Sequence, residues 1–110
     1  YACESREVLR MVCLDEQYFL RSSHVLAEGS VNHVTVSLRK IIEHAILDHC
    51  AIIVLAHNHP KARASVSRDD LISTRQVSEY LKTLSISLYD HIIVGEDNVI
   101  SMRDSACMPD

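Results

Sequence analysis

The chain has 110 residues, which is about one domain and too short for two independent hydrophobic cores. Hydrophobic residues make up 47% and charged residues 24%, a composition typical of a folded globular domain and not of a disordered segment. Eleven Lys and Arg against fifteen Asp and Glu leave a net charge of −4. This balance argues against a fragment whose main task is to grip phosphate backbones.

The first half of the chain predicts two strands, a helix and a third strand. Val8 to Leu14 and Tyr18 to Ala27 are the first two strands, with a turn at Asp15-Glu16. From Ser37 onward, apolar residues recur at the spacing of one helix face. Those residues are Leu38, Ile41, Ile42, Ala45 and Ile46. Ala51 to Ala56 is short and β-branched, which predicts a central strand covered on both faces.

The second half predicts an irregular stretch, a helix and two strands. His57 to Val66 is irregular, Ser67 begins the helix, and Ile86 to Val94 and Val99 to Met102 are the strands. The helix residues expected to face the core are Leu71, Val77, Leu81 and Leu84. The tail from Asp104 is expected to be loose. Strands interleaved with two helices predict a single α/β domain over residues 1–110, with helices flanking a mixed sheet.

The cysteines and the apolar runs bear on the compartment. None of the four cysteines forms a C-x-x-C pair, so we predict buried or terminal free thiols and a cytoplasmic location. They are Cys3, Cys13, Cys50 and Cys107. The longest apolar run, Cys50 to Ala56, falls far below the roughly 18 residues that cross a bilayer, so no membrane association is expected.

Metal-binding residue types follow the third predicted strand. His57 and His59 are two residues apart in extended backbone, so both imidazoles can face the same side. Pro60 then forces the chain to turn. Asp70 lies in the first turn of the next helix, where its carboxylate can point back to the strand end. Two imidazoles and one carboxylate with a fourth position open are typical of catalytic zinc.

Ser67 and Asp70 admit two interpretations. Hydrolysis at a zinc ion needs a carboxylate to move the proton of water and a donor for the tetrahedral oxygen, and Ser67 is placed to be that donor. Ser67 and Asp70 also have the spacing of an ordinary helix cap, which taken alone is the more common arrangement.

The run His57-Asn58-His59-Pro60, followed by six residues and Ser67-x-x-Asp70, resembles the JAMM (MPN-plus) metalloprotease motif as it occurs in bacterial RadC proteins. Three further segments resemble that family: Glu7 to Asp15, Glu28 to Ser30, and Tyr89 to Gly95. The resemblance spans nearly the whole chain. It implies a single JAB/MPN-like (cytidine-deaminase-like) domain of a UPF0758-type protein, without the helix-hairpin-helix region that precedes this domain in full-length RadC proteins.

The resemblance also implies a role for each motif residue. His57, His59 and Asp70 would bind zinc, Ser67 would assist at the oxyanion, and Glu7 would be the acid–base residue, with Glu28 as the second choice. The implied activity is a zinc-dependent metallohydrolase that cuts peptide or isopeptide bonds in a protein substrate.

Two other functions stay open at this point. The first is a DNA-repair-associated accessory domain with little or no catalysis, for which Lys61, Arg63 and Arg68 supply a small basic cluster. Three charges are a poor footprint for duplex DNA, so direct nucleic-acid binding by this domain alone is not expected. The second is a scaffold that keeps the fold without chemistry. A homo-oligomer is also compatible with the sequence.

The remaining polar residues give weaker expectations. Alternation places Asp90 on a buried face, where it needs a partner: either the outer nitrogen of a metal-bound imidazole or, as the more common arrangement, a backbone donor or an Arg at the sheet edge. His91 is expected to point the other way and not to be a ligand. The remaining histidines, expected to be exposed and without signal, are His24, His33, His44 and His49.

Overall fold

The computed structural model describes residues 6–29 and 37–109. These residues form five strands and two helices: β1 Glu7–Leu14, β2 Leu20–Gly29, α1 Leu38–Leu47, β3 Ile52–Asn58, α2 Arg68–Thr83, β4 Ser87–Val94 and β5 Val99–Ser101. The strands form one sheet in the order β2-β1-β3-β4-β5. β3 and β4 are parallel and the other neighbours are antiparallel, so the predicted α/β class with a mixed sheet is confirmed.

The hydrophobic core lies on one face of the sheet, between the strands and both helices. Helix α1 contributes Ile41 and Ala45, and helix α2 contributes Val77 and Leu81. The strand residues in the same cluster include Leu9, Met11, Ile53, Leu55 and Leu88. Along β3, buried residues alternate with half-buried ones, so the cover expected on both faces of this strand is complete on only one.

Local side-chain hydrogen bonds explain where the first helix and the hairpin turn begin. Ser37 accepts a hydrogen bond from the backbone N–H of Lys40 at 3.3 Å and is the N-cap of α1, so the helix begins where the sequence predicts. Asp15 Oδ1 accepts hydrogen bonds from the backbone N–H groups of Gln17 and Phe19, which closes the predicted turn between β1 and β2.

The helices bury a narrower stripe than the apolar periodicity predicts. Leu71 and Leu84 are 43% and 41% exposed, so these two core assignments are wrong, and Ile46, on the predicted apolar face of α1, is 56% exposed. In α2 the buried stripe includes the polar residues Thr74 and Ser78, because that face of the helix packs toward buried polar groups of the sheet as well as apolar ones.

Cysteine chemistry also differs from expectation. Cys13 on β1 and Cys50, just before β3, form a disulfide, so the prediction of free thiols is wrong for this pair. The two strands are paired, with Cys13 opposite Ile53, and this pairing brings the turn that precedes β3 close to Cys13. Cys107 is a free thiol, and Cys3 lies outside the described residues.

Two further features complete the fold. The tail is not loose up to Pro109: Cys107 donates its backbone N–H to the carbonyl of Met102 at 2.7 Å, and Met108 packs against the core. Neither helix within residues 6–29 and 37–109 has the length and apolar character needed to cross a membrane.

Candidate metal centre

The end of β3 brings the two motif histidines together. The strand runs through Asn58, further than predicted, and the backbone N–H of His59 donates to the carbonyl of Val94 at 2.7 Å. The backbone therefore stays extended through both histidines. Their Nε2 atoms lie 2.9 Å apart, as the i, i+2 spacing requires of side chains on one side of a strand.

Two carboxylates approach these imidazoles from different elements. Glu7 begins β1, is buried, and places a carboxylate oxygen within 4.8 Å of donor atoms of His57 and His59. Asp70, in the first turn of α2, places Oδ1 at 3.6 Å from His57 Nε2. We call Glu7, His57, His59 and Asp70 the strand-end centre. The Glu28 side chain lies outside the part of the chain whose side chains are described.

Ser67 and Asp70 form a reciprocal helix cap. Ser67 Oγ accepts from the backbone N–H of Asp70 at 3.0 Å, and Asp70 Oδ2 accepts from the backbone N–H of Ser67 at 2.9 Å. The structural alternative weighed from the sequence is therefore present. It still leaves Asp70 Oδ1 directed at His57, and a hydroxyl that accepts keeps its own proton to donate.

His91 contacts the Nδ1 side of the His57 ring. It is buried, and its Nε2 lies 2.7 Å from His57 Nδ1, while its Nδ1 lies 2.8 Å from Thr74 Oγ1. If His57 offers Nε2 to a metal, its Nδ1 must carry the proton and donate to His91, which then donates to Thr74. Thr74 in turn donates to Met102 Sδ at 3.7 Å. Every donor in this series of hydrogen bonds has an acceptor, so the contacts are compatible with the His57 tautomer that leaves Nε2 free for a metal.

Of the partners considered for Asp90, the outer nitrogen of a metal-bound imidazole is not the observed one, because His91 contacts His57 there. Asp90 instead accepts hydrogen bonds from the backbone N–H groups of His91 and Arg103 and from the Ser101 hydroxyl. The alternative weighed for it, a backbone donor, is the observed one.

A register shift in the β3–β4 ladder explains why His91, and not Asp90, contacts His57. Ile53 pairs with Leu88 but Val54 pairs with Asp90, so one residue of β4 is extra. A bulge of one residue reverses the faces of everything that follows it. Leu88 and His91 therefore share the face of His57, which strict alternation would not allow, and the expectation that His91 points away is wrong.

Asn58, between the two histidines, forms hydrogen bonds with the backbone at the start of β1. Its Oδ1 accepts from the backbone N–H of Val8 at 2.6 Å, and its Nδ2 donates to the carbonyl of Arg6 at 2.8 Å. These two bonds hold the backbone on both sides of Glu7. The sequence reasoning gave Asn58 no role, although a buried amide that faces away from two same-side histidines must find partners on the neighbouring strand.

The loop after His59 is tied to the β4–β5 turn. Asn98 holds both the N–H and the carbonyl of Ala64, and Glu96 donates its backbone N–H to the carbonyl of Ala62. A Cβ at Gly95 would lie 2.2 Å from Ala64 N, so only glycine allows this approach.

The three basic residues considered as a nucleic-acid-binding cluster are exposed and lie close in sequence to the strand-end centre. Lys61 and Arg63 are exposed on the loop, and Arg68 is exposed at the start of α2. No bound anion or nucleic acid is needed to explain them, because exposed cations are ordinary on a protein surface.

Burial sets the charge of the imidazoles. The pKa of His57 is lowered to about 4, chiefly by burial and also by the nearby His91 and His59, while the Asp70 carboxylate partly opposes the change. Burial also lowers the pKa of His91, again against the attraction of Asp70. Both rings are therefore neutral near pH 7, which is the form that binds metals.

Two donor separations in the strand-end centre bracket the value expected around a small divalent cation. Donors that share one tetrahedral zinc ion at about 2.0–2.1 Å lie about 3.4 Å apart. The separations here, 2.9 Å between the two imidazole nitrogens and 3.6 Å from His57 Nε2 to Asp70 Oδ1, lie on either side of that value. Imidazole with carboxylate is also the ligand chemistry of zinc and its first-row neighbours.

Comparisons with known proteins identify the family of the chain. A model of the RadC-like JAB domain family matches residues 1–107. A UPF0758 protein of Photobacterium profundum is 35% identical over 99 residues, which are 90% of this chain and 44% of the relative. A UPF0758 protein of Methanosarcina barkeri is 33% identical over 101 residues, 92% of this chain and 44% of the relative.

A third relative, a UPF0758 protein of Pseudomonas fluorescens, is 34% identical over 101 residues, 92% of this chain and 45% of the relative. The chain thus spans less than half the length of these relatives. The family match covers nearly the whole chain and includes every residue of the strand-end centre, and the fold is the small mixed α/β domain that such a family requires. The chain belongs to the RadC-like JAB domain family.

Proposed function

We propose that this domain is a zinc-dependent metallohydrolase of the JAMM type that cleaves peptide or isopeptide bonds in a protein substrate. The observation that carries the proposal is the pairing of His57 Nε2 with His59 Nε2 at 2.9 Å, with Asp70 Oδ1 3.6 Å from His57 Nε2 and a Glu7 carboxylate oxygen within 4.8 Å of donor atoms of both histidines. In the proposal His57, His59 and Asp70 hold the metal, and Glu7 is the acid–base residue.

The groups around these residues support separate roles for the metal, Glu7 and Ser67. When bound, zinc would supply Lewis acidity that brings the pKa of a water molecule toward 7. Water adds to the carbonyl carbon, the C–N bond breaks, and Glu7 carries one proton from water to the leaving nitrogen. The Ser67 hydroxyl donates to the developing oxyanion while its lone pair keeps the helix cap.

Two further side chains, Asn58 and His91, position Glu7 and His57 without touching the substrate. The Asn58 side chain holds the backbone beside Glu7, so that the carboxylate starts from a fixed strand position. His91, which contacts Thr74, would accept a hydrogen bond from His57 Nδ1 and so leave Nε2 available to the metal. The hydrogen bonds from Val8 to Asn58 and among His57, His91 and Thr74 are buried, which protects them from competition by water.

The test compares metal content and hydrolysis in matched variants. Wild-type protein dialysed against buffered zinc is expected to retain zinc at the strand-end centre and to cleave isopeptide-linked or peptide substrates. His59→Ala is expected to lose that zinc and all cleavage while its circular dichroism stays native. His49→Gln, at an exposed histidine, is the control and should match wild type. A wild-type protein that retains no zinc would refute the proposal.

A DNA-associated accessory role is the second candidate. It is favoured only by the exposed cations Lys61, Arg63 and Arg68 beside the strand-end centre. Its signature would be duplex binding that weakens steeply with salt and is lost when the three cations are replaced by Gln. Binding with no salt dependence would argue against it.

A further inference from the structure

A second group of metal-binding side chains lies at the junction of β2 and the C-terminal end of α1. It consists of His24 on β2, His44 in the last turn of α1, and Asp48 at the C-cap, and we call it the helix-end cluster. One donor atom from each lies within 4.8 Å of the others. The sequence reasoning gave His24 and His44 no signal, because the donors come from two elements that only the fold brings together.

The geometry is that of donors around one point. His44 and Asp48 are four residues apart, which places both side chains on the same side of the helix end. His24 reaches them from the strand, with Nε2 at 2.6 Å from Asp48 Oδ2. The rings of His24 and His44 stack with centroids 3.7 Å apart and planes at 15°. All three side chains are half-buried, so water can complete a coordination shell.

Neighbouring groups hold the carboxylate in place and ionised. The Ser22 hydroxyl donates to Asp48 Oδ2 at 2.6 Å, and Arg21 Nε donates to the Asp48 carbonyl at 2.8 Å. The hydrogen bond from Ser22, followed by the one from His24, lowers the pKa of the Asp48 carboxyl. These hydrogen bonds favour the ionised carboxylate, which is the form that binds metals.

The position of Asp48 also favours a cation. The C-terminal end of a helix carries partial negative charge, so an anionic side chain there is unfavourable on its own. A divalent cation between Asp48 and the two imidazoles would offset both the carboxylate and the helix end. Imidazole nitrogens suit zinc, nickel and copper, whereas calcium and magnesium prefer all-oxygen sites.

We propose that His24, His44 and Asp48 form a second metal site, separate from the strand-end centre, that takes Zn²⁺ or a similar first-row divalent cation. The site joins an edge strand to the end of α1, so occupancy stabilises this side of the domain. It shares no residue with the strand-end centre and does not depend on the proposed hydrolase activity.

The test counts zinc bound per chain at a fixed free zinc concentration. Wild type is expected to bind two equivalents, His59→Ala one, His44→Gln one, and His59→Ala/His44→Gln none. His49→Gln, an exposed neighbour of Asp48, should bind as many as wild type. His24→Gln serves as a second variant of the cluster if His44→Gln does not give a native circular dichroism spectrum.

The outcomes separate this site from the strand-end centre. If wild type binds one equivalent, His59→Ala keeps it and His44→Gln loses it, the second site stands and the proposed function fails. The second site is overturned if His24→Gln and His44→Gln bind as many equivalents as wild type. It is equally overturned if His49→Gln loses the same equivalent, since that would be binding by surface imidazoles in general.

Discussion

The strand-end centre and the helix-end cluster use the same donor types, two imidazoles and carboxylate, in opposite settings. In the strand-end centre the two histidines are two residues apart on one strand, and the ring of His57 is buried against His91. In the helix-end cluster the donors come from a strand, a helix and a helix cap, and all are half-buried. Burial makes the first a place where a neutral, oriented imidazole can support chemistry. The partial exposure of the helix-end cluster suits metal binding without catalysis.

The sharpest test of this contrast separates the two carboxylates of the strand-end centre. Glu7→Gln is expected to keep zinc and to lower kcat by about 10²- to 10⁴-fold, because the proton carrier is lost but the ligands remain. Asp70→Asn is expected to weaken zinc binding itself. Kinetics and equilibrium dialysis measure the two effects.

Matched controls for these variants lie nearby. Glu16→Gln and Asp69→Asn replace exposed carboxylates and should leave both readouts unchanged. If Glu7→Gln loses zinc while Asp70→Asn retains it, the roles of the two carboxylates are exchanged.

Reduction of the Cys13–Cys50 disulfide should affect stability more than chemistry. Opening a link between residues 37 apart is expected to lower the free energy of unfolding by about 4 kcal/mol, through the entropy of the unfolded chain. Cys50 follows Asp48 closely, so zinc binding at the helix-end cluster should weaken more than at the strand-end centre. Denaturant titration with and without reductant measures the first effect, and Cys107→Ser is the control.

The same disulfide bears on the compartment. The cytoplasmic location predicted from unpaired thiols loses that support, and it stays a prediction. Trapping thiols in fresh cell extracts would measure whether this pair is oxidised where the protein resides.

The metal-free domain should lose stability in acid through the buried imidazoles. The folded-state pKa of His57 is about 4 against an unfolded value near 6.5, so the unfolded state binds more protons between these pH values. The free energy of unfolding should therefore fall by up to about 3 kcal/mol as pH drops from 6.5 to 4, and His91 adds in the same direction. A flat profile over this range would contradict burial as the cause.

The smallest expected effect comes from the outer end of the hydrogen-bond chain. Thr74→Val removes the acceptor for His91 Nδ1 with little change of shape, and zinc affinity at the strand-end centre should fall about 10- to 100-fold. Thr83→Val, on the same helix but bonded only to the carbonyl of Tyr80, is the control. Competition with a chromophoric chelator measures the affinity, and binding at the helix-end cluster should not change.

Much of the fold was predictable because its signals are local. The strands follow from β-branched and apolar runs, and the starts of both helices follow from Ser37 and Ser67, whose side chains cap the backbone next to them. The predictions that failed concern which apolar helix residues are buried. Apolar residues such as Leu71 and Ile46 sit on helix faces that the sheet does not reach, which periodicity alone cannot show.

The sequence by itself determined that His57 and His59 face the same side and that Ser67 and Asp70 begin a helix, since both follow from backbone periods of two and 3.6 residues. Only the tertiary structure decided which groups support those residues. A bulge in β4 exchanged Asp90 for His91, the pairing of β1 with β3 brought Glu7 to Asn58, and the packing of α1 beside β2 joined His24 to Asp48. Each of these contacts joins residues far apart in the chain, and no local period encodes which distant strand or helix end will meet them.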